Sequence, residues 1–239
     1  MKLLHVDASP KGATSSSRAL SRFFVDQLAA RLPALSVDYL DLAAEAAPAM
    51  TELFTTATYT PEEERTADMR AALAPSDALC RRLLDADALL FAMPMHNWTM
   101  PAAFKAFVDM IVRGGLTYVA TADGRYIGTL GGRKTLFVTT RGVDLRPGTP
   151  FATMDALTPS LRAAFGFIGV ADPQFVDAQP LQFARAVERE MALKRAEREL
   201  VVVAERWTDS EVPALTMAGR ADGTGISAAL GSVAEGCAA

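Results

Sequence analysis

Short apolar runs alternate along the chain with longer stretches whose apolar residues recur every three or four positions. That order predicts a parallel sheet with helices on both faces. The first run is Leu3 to Val6. After a polar loop, Leu20, Phe23, Phe24, Leu28 and Leu32 share one stripe of a helix that Pro33 ends. Residues 36–41, SVDYLD, give a second strand with Val37, Tyr39 and Asp41 on one side and Asp38, Leu40 and Leu42 on the other. Thr60-Pro61-Glu62-Glu63 reads as a helix start, with a Thr cap, Pro at the first helical position and Glu at the capping-box position. The helix it opens is expected to run to about residue 84, broken or kinked at Pro75.

The run ALLFAM, 88–93, is continuous enough for a central strand buried on both faces. Pro101 opens the next helix, whose Phe104, Phe107, Val108, Ile111 and Val112 form a wide apolar stripe ending at Gly114-Gly115. Residues 116–130 read as a hairpin turned by Asp123-Gly124, and 134–139, KTLFVT, as the fourth parallel strand. A helix near 155–166, a fifth strand at 174–178 and a long charged helix over 181–206 complete the pattern. From Thr208 onward the periodicity fades. A domain over 1–206 is therefore expected, followed by a Gly-, Ala- and Ser-rich extension over 207–239 that is flexible or loosely docked.

Composition narrows the partners. At 239 residues, half of them hydrophobic, the chain suits one well-packed core. A net charge of -4 carries no basic footprint for nucleic acid, so the expected partner is a small molecule. Cys80 and Cys237 are too few and too far apart for a disulfide framework or a zinc site, and each is expected to be an inert thiol, as suits a cytoplasmic protein. No signal-peptide core and no membrane-length apolar run is seen.

Ligands of open α/β sheets sit beyond the carboxyl ends of the strands, which directs attention to the loops after the first, third and fourth. The first loop, from Ser9 to Arg18, offers Thr14, Ser15, Ser16 and Ser17 at a helix N-terminus, where an anion is favoured. It lacks both GxGxxG and GxxxxGK[ST], and suits a phosphate monoester; the same hydroxyls would equally cap a helix and fill a polar loop. The loop after the third strand, Pro94-Met95-His96-Asn97-Trp98-Thr99-Met100-Pro101, mixes an aromatic, two thioethers and several hydrogen-bonding groups, as a flat heteroaromatic ring requires. Taken singly, Trp98 and the methionines read as core packing and His96 as a solvated or locally bonded histidine; their place on this loop tips them towards a site. The loop after the fourth strand, Thr140-Arg141-Gly142-Val143, could present backbone amides to a ring. His5, inside the first strand, reads as a satisfied core histidine.

The segments MKLLHVDASPKGATSSSRALSRFF, FAMPMHNWTMPAAFKAFVDMIVRGGLTY, LFVTTRG and LTPSLRAAFGFIGVADPQFVDAQ, in this order, resemble the FMN-dependent NADH azoreductase and quinone oxidoreductase family over about residues 1–206. The resemblance implies a flavodoxin-like α/β fold with five parallel strands in the order 2-1-3-4-5. It implies an FMN phosphate held by Ser9, Ser15, Ser16 and Ser17, with the ring bordered by Met95, His96, Asn97 and Trp98. Thr140, Arg141, Gly142 and Val143 would meet the ring's other edge. The family often has a second glycine where this chain has Val143, which would narrow the pocket, and Tyr and Phe where it has His96 and Trp98. The implied activity is ping-pong transfer of electrons from NADH or NADPH to a quinone or azo compound, by a homodimer with each site at the subunit interface. The wide stripe of the helix after Pro101 is compatible with a dimer face or with burial in one chain. No side-chain acid or base is required, although His96 could donate a proton to the acceptor.

Three rival readings differ at definable points. An FMN electron carrier of the flavodoxin type tends to be shorter and more acidic, whereas here the hairpin and the loop at 143–152 are expected to add material over the pocket. A cysteine phosphatase would need its thiol in the first loop, which has none. A phosphoacceptor receiver needs an aspartate after the third strand, where Met93-Pro94 stand.

Overall fold

The computed structural model describes residues 1–209. Five parallel strands, β1 (Lys2–Asp7), β2 (Ser36–Asp41), β3 (Ala88–Pro94), β6 (Lys134–Thr140) and β7 (Gln174–Ala178), lie in the order β2-β1-β3-β6-β7. This is the expected order. A short antiparallel hairpin, β4 (Tyr118–Ala120) and β5 (Tyr126–Gly128), forms the 116–130 excursion, with Gly124 at the positive φ that its turn requires.

The period of two along each strand sorts its side chains into two cores. Leu89, Phe91 and Met93 of β3 join Leu4, Val6 and Phe137 beneath α4 (Ala102–Ile111) and α5 (Leu157–Phe167). Ala88, Leu90 and Ala92 face α1 (Ser16–Arg31) and α6 (Ala186–Asp209) with Leu3, Phe24, Leu136 and Val138. Phe91 is the centre of the first layer, with its ring 4.8 Å from Phe165 and 5.2 Å from Phe137. Every residue from Ala88 to Met93 is fully buried, which accounts for the absence of polar alternation there.

The region between β2 and β3 departs from expectation. Thr51 caps a helix not read from the sequence, α2 (Glu52–Tyr59), by accepting from the Phe54 amide at 3.1 Å. Thr60 ends that helix, donating to the Thr56 carbonyl, and Pro61-Glu62-Glu63 opens only a single 3-10 turn. The long helix α3 (Ala67–Leu84) starts later, capped by Thr66. It runs unbroken through Pro75 because Pro75 and Ala71, whose carbonyl loses its partner, both face water while Leu73, Ser76, Cys80 and Leu83 are buried. Threonine and tyrosine are weak helix formers, so α2 depends on burying Phe54 and Ala57 against Leu73 and Met110, a tertiary term the local pattern does not carry.

Two further corrections concern the termini and the hairpin. The last helix begins at Ala186, not residue 181, and extends to Asp209; the expected 207–239 extension otherwise lies outside the described residues, as does Cys237. The hairpin packs on the end of α5, through Tyr118 and Tyr126 against Phe167, and lies away from the strands' carboxyl edge. His5 is buried and hydrogen-bonded to Asp7 at 3.2 Å. Cys80 is buried, and desolvation pushes its thiol up to about 11. Among the described residues no helix is long and apolar enough to cross a membrane.

Candidate functional site

A cleft of about 480 Å³ opens at the carboxyl edge of the sheet, within the size range of small-ligand sites. Three of its walls are the loops after β1, β3 and β6. Ser9, Ser15, Ser16, Met95, His96, Asn97, Trp98, Thr140, Arg141, Gly142 and Val143 all line it. Ser17, the twelfth candidate, lies beneath the surface, fully buried, with its hydroxyl 3.1 Å from that of Ser15.

The first wall is a helix start. Ser15 caps α1 by accepting from the Arg18 amide at 3.4 Å, and the Ser9 hydroxyl accepts from the Lys11 amide at 3.3 Å. The first amides of α1 have no intrahelical acceptor, so hydroxyls and N–H groups converge where the helix dipole favours negative charge. Of the two roles offered for these serines, capping is present in Ser15, and the cap faces the cleft.

Behind this wall lies a partly buried polar cluster. Arg18 grips Asp41 with both terminal nitrogens, at 2.8 and 2.5 Å, and donates to the Ser9 carbonyl at 2.7 Å. Tyr39 donates to Asp7 at 2.9 Å, and Ser21 donates to the same carboxylate. Burial works to raise Asp7, but hydrogen bonds from His5, Tyr39 and Ser21 outweigh it and hold the carboxyl below its usual value. Partial desolvation and the Asp7 charge push Tyr39 up to about 12.

The second wall is a tight turn. The His96 amide donates to the Thr99 carbonyl at 2.9 Å and the Thr99 amide returns the bond at 3.0 Å. Asn97 and Trp98 between them both have positive φ, 47° and 73°. Asparagine tolerates this conformation, whereas for a bulky aromatic it is strained by about 1–3 kcal/mol. The Trp98 ring is steadied by stacking on Phe151 at 6.0 Å, and its carbonyl accepts from Ala156. Met95 packs partly on the main core and Met100 fully within it, so one thioether faces the cleft and the other does not.

The third wall shows its backbone. The Arg141 guanidinium is 2% exposed and turned inward, donating to Asp155 at 2.8 Å, Thr158 at 2.7 Å and Thr139 at 3.2 Å, with Asp177 at 3.2 Å. Asp155 is held below its usual value despite its burial, by bonds from Thr158 and Arg141. The Arg141 amide is also spent, on the Ala178 carbonyl. The Gly142 and Val143 amides make no hydrogen bond with the described residues, and they are the amides of this segment left for a ligand. A side chain at Gly142 would come within 3.2 Å of the Phe183 ring, so glycine lets the fourth wall close in.

That fourth wall, Leu181, Gln182, Phe183 and Arg189, was not read from the sequence. It follows β7, the fifth parallel strand, whose carboxyl end reaches the same edge as the other four. Consistent use of the carboxyl-edge rule would have found it. Lys11 also lines the cleft, beside the serines. The 116–130 hairpin contributes nothing to it; from the 143–152 loop, Val143 lines it and Phe151 backs Trp98.

An open, parallel, helix-flanked sheet with a hydroxyl-lined helix start and a ring-sized cleft at the strand ends defines a nucleotide-binding flavodoxin-type architecture. The model of the flavodoxin-like fold family matches residues 1–202. FMN-dependent NADH:quinone oxidoreductase 1 of Trichormus variabilis (strain ATCC 29413 / PCC 7937) is 40% identical over 210 residues, 88% of this chain and 99% of the relative. FMN-dependent NADH:quinone oxidoreductase 1 of Pseudomonas fluorescens (strain Pf0-1) is 39% identical over 203 residues, 83% of this chain and 94% of the relative. Among solved structures, an azoreductase from Bacillus anthracis str. Sterne shares the fold with a TM-score of 0.79 at 24% identity, covering 86% of this chain and 99% of that one. The chain belongs to the flavodoxin-like fold family, in the branch of the FMN-dependent NADH:quinone oxidoreductases.

Proposed function

We propose that this protein is an FMN-dependent oxidoreductase that passes electrons from NADH to quinones and azo compounds. The observation that carries the reading is the meeting, in one cleft, of a hydroxyl-lined helix start, an aromatic turn and a segment with two unengaged amides. The relatives' names point the same way. The donor set fits FMN: Ser9, Ser15 and Ser16 with the first amides of α1 would take its phosphate, with Ser17 fixing the Ser15 hydroxyl from below. Met95, His96, Asn97 and Trp98 would border its ring, and Thr140, Arg141, Gly142 and Val143 its far edge, Arg141 through backbone alone.

When bound, FMN would supply the redox chemistry, which no side chain here could perform. The chain's own part is to hold the phosphate, fix the ring's edge through the Gly142 and Val143 amides, and leave room for donor and acceptor to enter in turn. Amides aimed at the ring edge would favour negative charge there. His96, exposed on the turn, would give a proton to the acceptor; unchanged azo and quinone turnover in His96→Asn would remove that role.

We further read the protein as a cytoplasmic homodimer. The stripe of α4 is consumed by the chain's own core, so it supplies no dimer face. The support for a dimer comes instead from Val187 and Met191, 68% and 63% exposed at four-residue spacing on α6. An absorbance spectrum after loading with FMN and desalting tests the function. Retained flavin that bleaches with NADH and recovers with quinone is expected. Flavin that ignores NADH would indicate an electron carrier, and no retained flavin would sink both.

A further inference from the structure

The charge on the cleft is opposite to that of the chain. The protein carries a net charge of -4, yet no aspartate or glutamate lines the cleft, which holds Lys11, Arg141 and Arg189. Arg141 is neutralised by Asp155 and Asp177. Lys11 belongs to the serine loop and would meet the phosphate in the proposed FMN site. Arg189 remains over: it makes no ion pair with the described residues. The acids beside it on α6 are taken, Glu188 by Arg185 and Glu190 by Lys194.

Resting on the reductase reading, we propose that Arg189 selects acceptors bearing an anion, a sulfonate or carboxylate attached directly to the quinone or azo-arene ring. Guanidinium is always charged and matches such groups with paired donors. It stands on the same short wall as the exposed Phe183 ring, and Gly142 lets that wall approach the segment proposed to border the flavin. A ring-attached anion suits a wall that pairs an apolar face with a cation. The pyrophosphate of a dinucleotide lies a ribose away from its ring and does not.

The test compares Arg189→Gln with the unaltered protein, both loaded with FMN, using naphthoquinone-2-sulfonate and neutral menadione. Equilibrium binding of each quinone is measured without NADH by fluorescence quenching, and KM by turnover. The substitution should weaken sulfonate binding and raise its KM about tenfold, as for loss of one charged hydrogen bond, with menadione and flavin retention within twofold. The sulfonate preference should fall with added salt in the unaltered protein and be flat in the variant. Equal change for both quinones, a changed KM for NADH instead, or loss of flavin would each overturn the assignment. If the unaltered protein binds both quinones but does not turn over, the binding comparison still decides Arg189, and the reductase reading alone fails.

Discussion

Arg18 and Arg141 stand behind opposite walls of the cleft, and their guanidinium groups are used differently. Arg18 grips Asp41 and reaches through to the carbonyl of Ser9, a residue of the cleft itself, while its Nε is buried without a partner. Arg141 lines the cleft in sequence, but all three of its nitrogens are spent inward, binding the segment before α5 to the ends of β6 and β7. The arginine inside the motif is a clasp, and the one just outside the assigned serines positions the site. A motif locates a backbone; only the fold shows which way a long side chain turns.

The sharpest way to break the comparison is to remove the clasp. Arg141→Met leaves Asp155 and Asp177 without their cation and should destabilise the fold by about 3 kcal/mol, the lower end for breaking a buried pair. For a chain of this size that is roughly 6–12 °C in melting temperature. Adding Asp155→Asn should restore part of the loss, because the uncompensated charge is then gone. A melting temperature unchanged in Arg141→Met would return the guanidinium to the cleft as a ligand group.

Arg18→Gln should act on binding more than on stability. Loss of the partly exposed pair with Asp41 should cost about 1 kcal/mol, while freeing the Ser9 carbonyl should weaken FMN binding roughly tenfold, one charged hydrogen bond's worth. Asp41→Asn should behave alike, and the double variant no worse than either. Flavin titration separates this from a merely structural role, since Arg141→Met refolded at low temperature should lose stability first and flavin second.

The two clusters also differ in what titrates. Asp7, Asp41 and Asp155 are all held below their usual value, so both clusters contribute stability that is present above about pH 4 and lost as pH falls through the depressed range. The Arg18 cluster alone contains a tyrosine. Tyr39 is raised to about 12, so the folded state holds its proton more tightly than the unfolded chain. Its contribution is full below about pH 10 and lost as pH rises towards 12. Urea midpoints between pH 9 and pH 12 should fall less steeply in Tyr39→Phe; an identical slope would detach Tyr39 from the cluster.

The five parallel strands were legible because period, length and turn residues agreed along the chain, whereas their order came from the family resemblance. The α2 helix was not, since its Thr-rich stretch is held by contacts across the fold, and Thr60-Pro61 imitates a start while serving as a stop. In the site, the serines, the 95–98 turn and the 140–143 segment were readable from their places after strands. The wall from Leu181 to Arg189 was open to the same rule, since it follows β7; Ser17's burial and Arg141's inward turn were not. Each depends on which face of a loop meets its neighbour, which sequence spacing does not encode.

The smallest effect belongs to the contact between the third and fourth walls. In Gly142→Ala the new methyl would sit 3.2 Å from the Phe183 ring and 3.3 Å from Gln182 Cβ. Gly142 does not have positive φ, so backbone strain does not enter. Phe183 is exposed and free to swing away, and stability should change by about 0.5 kcal/mol or less. The displaced ring would widen the mouth while crowding the amides offered to the flavin edge. The expected result is an unchanged melting temperature with a KM for quinones raised two- to threefold. A large stability loss would show that the fourth wall is locked to the third, and would place Phe183 with Arg141 as part of the clasp.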